Sequence, residues 1–161
     1  MKRILFLLSC LAVVLCLTAC GKTVEISDTI SDITISDYEE ISFAVKHCNS
    51  QAVTYTVCSS KENFLFYEGH QFACVQRHVD GAWYPLLAVP QNYTGVLKWC
   101  SIPIEEQQET ISITTEYGGK LEKGLYRLVA GCSLSAIPPS DSEQSNSSAQ
   151  AVYLAAEFEI D

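Results

Sequence analysis

The sequence is poor in basic side chains. Ten lysines and arginines stand against nineteen aspartates and glutamates, which gives a formal charge of −9 at pH 7. Proteins that hold nucleic acid through its phosphates need clustered Lys and Arg, and no such cluster occurs in this chain. We therefore expect no nucleic-acid partner, and a solvated acidic surface that stays away from anionic lipid headgroups.

Motifs of the common enzyme classes are also absent. The chain contains no Gly-x-Ser-x-Gly elbow, no phosphate-binding glycine loop and no His-Glu-x-x-His motif. The five cysteines after position 20 lack zinc-ligand spacing, and the single methionine, Met1, leaves no thioether-rich copper site. The sequence thus predicts a protein that is not an enzyme and that uses no cofactor.

The one long apolar run stands at the beginning of the chain. A basic start precedes residues 4–17, a stretch shorter than the about 20 residues that a spanning helix needs. The run ends in Leu-Thr-Ala-Cys, residues 17–20, which resembles a bacterial lipobox. The resemblance implies a lipoprotein signal peptide at 1–19, cleavage before Cys20 and acyl chains such as palmitate on the Cys20 thiol. The protein would then be anchored to a bacterial cell membrane and face its extracytoplasmic side.

An ordinary secretory signal peptide, cut at the same small residues, is the alternative interpretation. Loss of residues 1–19 in either case leaves eight basic and nineteen acidic side chains, a formal charge of −11. The remaining length suits one domain with a tether. We expect a lipidated N-terminus and polar tether at 20–36, which holds a domain at 37–161 off the bilayer and becomes the first strand near Ile33 and Ile35.

Five cysteines follow Cys20. They are Cys48, Cys58, Cys74, Cys100 and Cys132. Because five cannot all pair within one chain, any number of disulfides from none to two remains open. Apolar neighbours indicate that several of them are small packing residues. A tight hairpin sets Cys48 opposite Ala52 and Cys58 near Ser42, too far apart for a disulfide between these two cysteines.

Period-two patterns predict short strands throughout the domain. Residues 41–45 and 53–57 alternate around the polar turn 49–51, which indicates a hairpin. Asp80 and Gly81 separate two β-prone runs, 72–79 and 82–89, and predict a two-residue type I′ turn. Further strands are expected at Ile111 and Ile113, at 125–132 and at 152–160.

Three motifs carry a family resemblance. They are Asp80-Gly81-Ala82-Trp83-Tyr84, the run Leu-Glu-Lys-Gly-Leu-Tyr-Arg-Leu-Val at 121–129, and Tyr-Leu-Ala-Ala-Glu-Phe-Glu at 153–159. They resemble a bacterial immunoglobulin-like domain family found in secreted proteins and lipoproteins, and the resemblance covers residues 37–161. It implies an all-β fold, an immunoglobulin-like Greek-key β-sandwich of about 7–9 strands, in which these motifs are structural rather than catalytic.

Gly124 and Tyr126 in the second motif also have a physical role. Glycine permits a bend at the beginning of a strand, and Tyr126 can bury its ring while its hydroxyl turns back to a backbone group, as in a tyrosine corner. Trp83 is expected in or beside the core. The cysteines do not follow the paired arrangement of antibody domains, so no inter-sheet disulfide is carried over.

These features predict a non-catalytic binding or accessory module, anchored to the membrane through Cys20 and bound to an unidentified protein or cell-surface ligand. The polar loop 137–150 is the candidate contact surface, and plain disorder is the alternative interpretation that its composition favours.

Two other classes remain open as alternatives. One is a proteinase inhibitor of immunoglobulin-like fold, for which 93–104 is the better inhibitory loop. The other is a metal-binding chaperone. Its candidate ligands would be His47, His70, His78, Cys48 and Cys74.

Overall fold

The computed structural model describes residues 21–36, 38–60, 65–68, 73–90, 99–134 and 150–161. Nine β-strands and one short helix occupy these ranges. The strands are β1 Ile41–Asn49, β2 Ala52–Ser59, β3 Leu65–Glu68, β4 Ala73–Val79, β5 Ala82–Pro85, β6 Trp99–Ser101, β7 Gln107–Ser112, β8 Gly124–Leu134 and β9 Gln150–Ile160. The helix, α1, spans Ile113–Tyr117.

The strands form two antiparallel sheets. The smaller sheet has the order β1-β2-β7, and the larger has six strands with β8 at its centre. Strand β9 pairs along the whole of one edge of β8. Strands β4 and β3 follow one another along the opposite edge, and β5 and β6 lie outside them. The predicted all-β architecture is confirmed, with strands in two layers.

Apolar side chains of both sheets meet in one core. Val53, Tyr55 and Val57 of β2 are buried with Tyr126 and Leu128 of β8. Strand β9 alternates as predicted, and its core face is formed by Val152, Leu154, Phe158 and Ile160. Full burial of a large apolar side chain contributes about 1.5–3 kcal/mol, so this two-sided core is the main stabilising element of the fold.

The hairpin between β4 and β5 has the predicted turn. Asp80 and Gly81 both adopt positive φ, 49° and 86°, as a type I′ turn requires. Strand β5 ends at Pro85, however, and not at residue 89. The Leu86 amide still donates to the Val75 carbonyl oxygen of β4 at 2.9 Å, whereas the Leu87 amide donates to the carbonyl oxygen of Glu25.

The β1–β2 hairpin differs from the prediction in register. Its strands are joined at Asn49 and Ala52, so that Cys48 lies opposite Val53. A bulge between Val45 and His47 then restores the predicted pairing of Cys58 with Ser42. The extra residue in β1 compensates for a turn that is one residue tighter than predicted.

Ile113 begins a helix and is not part of a strand. Ser112 caps α1, since its hydroxyl oxygen accepts a hydrogen bond from the Thr115 amide. Gly118 ends the helix in the left-handed conformation, with φ of 69°. A helix of five residues is too short for a helical period to be recognised in the sequence.

Residues 21–36 lie against the domain, and the first strand begins at Ile41 rather than near Ile33. The Val24 amide donates to the Lys120 carbonyl oxygen at 3.1 Å, and the Ser27 amide donates to that of Pro85 at 2.8 Å. Val24 is only 8% exposed and belongs to the core cluster. The segment for which a tether was expected is therefore packed against the fold over residues 21–36.

Candidate functional site

The beginning of β8 is organised around Tyr126. Its ring is buried, and its hydroxyl donates a hydrogen bond to the Glu122 carbonyl oxygen at 2.9 Å, the backbone contact that a tyrosine corner makes. Arg77 joins this arrangement through a salt bridge to the Glu122 carboxylate at 2.7 Å and a hydrogen bond to the Lys123 carbonyl oxygen at 3.1 Å. Gly124 has φ of 148°, a conformation that favours glycine. These residues fix the turn that enters the central strand.

Trp83 lies on the outer face of the larger sheet and not in the core. The guanidinium carbon of Arg127 is 4.5 Å from the Trp83 ring centroid, and the His78 ring lies against the same indole with centroids 4.9 Å apart. Arg127 is 8% exposed and donates from Nε to the Gln76 amide oxygen at 2.8 Å. Burial lowers the pKa of Arg127, and the aromatic and amide partners hold the charged group in place. Tyr84, next to Trp83, pairs with Arg77 across the β4–β5 ladder.

Residues 21–36, which we call the N-terminal segment, cover this polar network. The Gln76 side-chain amide donates to the Ser31 hydroxyl at 3.0 Å, and the Ser31 amide donates to the Trp83 carbonyl oxygen at 2.8 Å. Further along, the Ser36 amide donates to the Tyr153 carbonyl oxygen of β9 at 2.7 Å. Residues 31–36 therefore cross the outer face from β5 to β9. This crossing explains why Gln76, a polar residue on an outer face, is fully buried.

The N-terminal segment is anchored where it passes Gly119. The Lys120 amide donates to the Lys22 carbonyl oxygen at 2.9 Å, opposite the bond from Val24 to Lys120. A Cβ atom at Gly119 would lie 2.6 Å from the Thr23 carbonyl carbon, closer than real Cβ atoms approach backbone. Only glycine therefore allows the two backbones to come together at this point. The clue in the sequence was the pair Gly118-Gly119, which no other motif explained.

The four cysteines whose side chains the structure describes carry free thiols. Cys48 and Cys58 are not bonded to each other, as the hairpin geometry predicted. Burial raises the pKa of Cys74, and it raises that of Cys132 to about 12. The pKa of Cys48 is also raised, by burial and by the nearby Asp161 carboxylate. Since the thiolate is the reactive form, these raised pKa values favour packing roles over nucleophilic ones.

The candidate metal ligands are dispersed where they can be placed. His47 is exposed on β1, whereas His78 packs on Trp83 of the larger sheet. In the ranges that the structure describes, no three His, Cys, Asp or Glu side chains come together to hold a metal ion. His70 lies outside those ranges.

Several other predicted features also lie outside the described residues. They are Cys20 with the signal peptide, residues 93–98 of the proposed inhibitory loop, and residues 137–149 of the proposed binding loop. Among the residues that can be described, no helix is long and apolar enough to cross a membrane. Comparison with known protein families, curated proteins and solved structures finds no match to this chain.

Proposed function

We propose that the protein is a bacterial lipoprotein whose immunoglobulin-like domain acts as a non-catalytic binding or accessory module outside the cell membrane. The observation that carries this proposal is the Leu-Thr-Ala-Cys motif ending at Cys20, directly before a chain segment that packs on a β-sandwich. A lipid on Cys20 would fix the domain to the membrane, and the all-β scaffold would present its loops to partners.

The order of the strands supports the immunoglobulin-like assignment. Strands β1, β2 and β7 correspond to A, B and E of that fold, and β9-β8-β4-β5 corresponds to G, F, C and C′. The chain crosses between the sheets after β2, before β7 and after β7, and these crossings support the proposed Greek-key topology. The Tyr126 hydroxyl bonds to a backbone carbonyl at the start of β8, and immunoglobulin domains carry their tyrosine corner at the start of strand F, which supports matching β8 to F. Two residues later Leu128, a core residue, takes the place of the cysteine of antibody domains.

Lipid attachment is tested by metabolic labelling of the full chain in bacteria. We expect wild type to incorporate labelled palmitate and Cys20→Ala to lose the label, because the Cys20 thiol is the acylated group. Cys48→Ala is the matched control and should be labelled like wild type. Equal labelling of Cys20→Ala and wild type would contradict the anchoring role.

The binding role is tested by deleting residues 141–148 from the purified mature chain. We expect weaker capture of cell-surface material, since polar loops on a rigid scaffold carry much of protein recognition. The control is thermal unfolding, which should be unchanged because the deletion lies outside the core strands. Unchanged capture would remove this loop as the contact surface, and inhibition of a protease by the intact chain would instead favour the inhibitor alternative.

A further inference from the structure

The first described residue of the mature chain is held on the surface of the domain. A Cβ atom on Gly21 would lie 3.1 Å from Cε of Lys120, and the next residues are bonded to Lys120 on both sides of Thr23. Cys20 directly precedes Gly21 in the sequence, and one peptide unit adds about 3.8 Å of chain. A lipid on Cys20 would therefore leave almost no free chain between bilayer and domain.

The surface beside Gly21 contains exposed apolar side chains. Leu87 is 47% exposed and Val89 is 39% exposed, within residues 87–90, all of which are exposed. Both contact the same region: the Leu87 amide bonds to Glu25, and a Cβ atom on Gly118 would lie 2.8 Å from a methyl group of Val89. Large apolar side chains that lie together on a surface commonly mark a contact with another molecule or a membrane.

The charged side chains of this surface balance one another. Lys22 and Lys120 supply two cations, and Glu25 and Glu116 supply two anions. The Lys22 ammonium and the Glu25 carboxylate form an ion pair at 2.8 Å. These four side chains carry no net charge, whereas the mature chain carries a formal −11. The repulsion between this surface and anionic headgroups is therefore weaker than the formal charge of the whole mature chain would give.

We propose that the surface formed by Gly21, Lys22, Leu87, Val89 and Lys120, which we name the N-terminal corner, rests on the bilayer into which the Cys20 lipid inserts. This inference rests on the proposed lipidation of Cys20. The docked segment holds the domain in one orientation, with Leu87 and Val89 at the headgroup boundary. The opposite end of the smaller sheet, where Ser59 bonds to Pro103, then faces away from the membrane and is available to partners.

Photocrosslinking to lipid tests the orientation. The lipidated full chain, with p-benzoylphenylalanine in place of Leu87 or Val89, is reconstituted in vesicles of labelled phosphatidylethanolamine and phosphatidylglycerol. Ile104, next to Pro103 and 54% exposed, is the matched control. It lies beyond the far end of the eight-residue strand β2, a span of roughly 26 Å. We expect several-fold more lipid crosslinking from positions 87 and 89 than from position 104.

A linker variant tests whether docking sets the orientation. Ten Gly and Ser residues inserted between Gly21 and Lys22 add a root-mean-square reach of roughly 17 Å. They separate Gly21 from the domain and leave the hydrogen-bonded residues from Lys22 onward in place. We expect crosslinking at position 87 to fall to the level of position 104. Crosslinking that the linker leaves unchanged would overturn the proposed role of docking.

The same samples separate this inference from the proposed function. If Cys20 carries palmitate but crosslinking is equal at positions 87 and 104, or absent at 87 and 89, the orientation is overturned. The lipoprotein proposal then remains intact. A full chain without palmitate on Cys20 would overturn both.

Discussion

At the scale of single residues, the hydroxyl of Tyr117 completes the hydrogen bonding of a buried strand. The Val75 amide of β4 donates to this hydroxyl at 2.9 Å within the core. Burial raises the pKa of Tyr117 to about 12. The fold thus holds a neutral phenol at the end of α1, just as it holds a neutral thiol at Cys132, which is 3% exposed.

These two groups predict a loss of stability at alkaline pH. Each releases its proton at lower pH in the unfolded chain, where the ordinary pKa is 9.0 for Cys132 and 10.0 for Tyr117, than in the folded protein, where both are about 12. Their contribution to stability is therefore fully present below pH 9 and is lost as the pH rises toward 12. Urea unfolding at a series of alkaline pH values should show the free energy of unfolding falling across this window.

Tyr117→Phe is the matched variant for this measurement. It leaves the Val75 amide unpaired, so its free energy of unfolding at neutral pH should be lower by about 1–3 kcal/mol. Its free energy of unfolding should fall less steeply with rising pH than that of wild type, because one titrating group is gone. Tyr153→Phe, at an exposed tyrosine, should reproduce wild type in both respects. If the free energy of unfolding of Tyr117→Phe falls as steeply with pH as that of wild type, Tyr117 does not contribute to the alkaline transition.

The sequence reveals residue roles only where the contact is local. Tyr126 could be assigned because its partner, Glu122, lies one short turn before it in the chain. Tyr117 could not, since the sequence predicted a strand at Ile111 and Ile113 and no helix after it, and Val75 is distant in sequence. Trp83 was expected in or beside the core, yet Arg127 and the N-terminal segment provide its environment on the outer face.

At the scale of elements, the turn Gly118-Gly119 links α1 to the N-terminal segment. Gly118 supplies the left-handed residue that ends the helix, and Gly119 supplies the close approach to Thr23. The segment adds no strand of its own, but it buries Val24 and covers Gln76. The strands themselves were largely visible in the sequence, because alternation along β9 and the Asp80-Gly81 turn are local patterns.

Gly119→Ala is expected to release the N-terminal segment from the domain. The added methyl group cannot fit 2.6 Å from backbone atoms of Thr23, so one of the two chains must move. Hydrogen exchange should become faster at the amides of Val24 and Ser27, and the free energy of unfolding should fall by about 0.5–3 kcal/mol.

Gly131→Ala is the matched control for the release of the segment. A Cβ atom there would meet only the ring of Tyr153, at 3.3 Å, and a side chain can shift where backbone cannot. Exchange at Val24 should stay as in wild type. Protection of Val24 that survives Gly119→Ala would show that the segment does not depend on this close approach.

At the scale of the whole molecule, the arrangement of the sheets decides what the surface presents. Strand β8 pairs with β9 on one edge and with β4 and β3 on the other, which brings Arg127 beside Gln76 on the outer face. The N-terminal segment begins beside Lys120, near the turn between β1 and β2, and crosses this face at residues 31–36. A lipid at Cys20 and the end of the domain near Pro103 would therefore lie on opposite sides of the molecule.

The sequence by itself determined the all-β class, the hairpin turn at Asp80-Gly81 and the tyrosine contact at the start of β8. Each depends on residues that are neighbours in the chain, where periodicity and turn chemistry act directly. Only the tertiary structure decided the docking of residues 21–36 and the position of Trp83. These depend on backbone hydrogen bonds between distant segments, such as that from Val24 to Lys120, which leave no periodic pattern in the side chains.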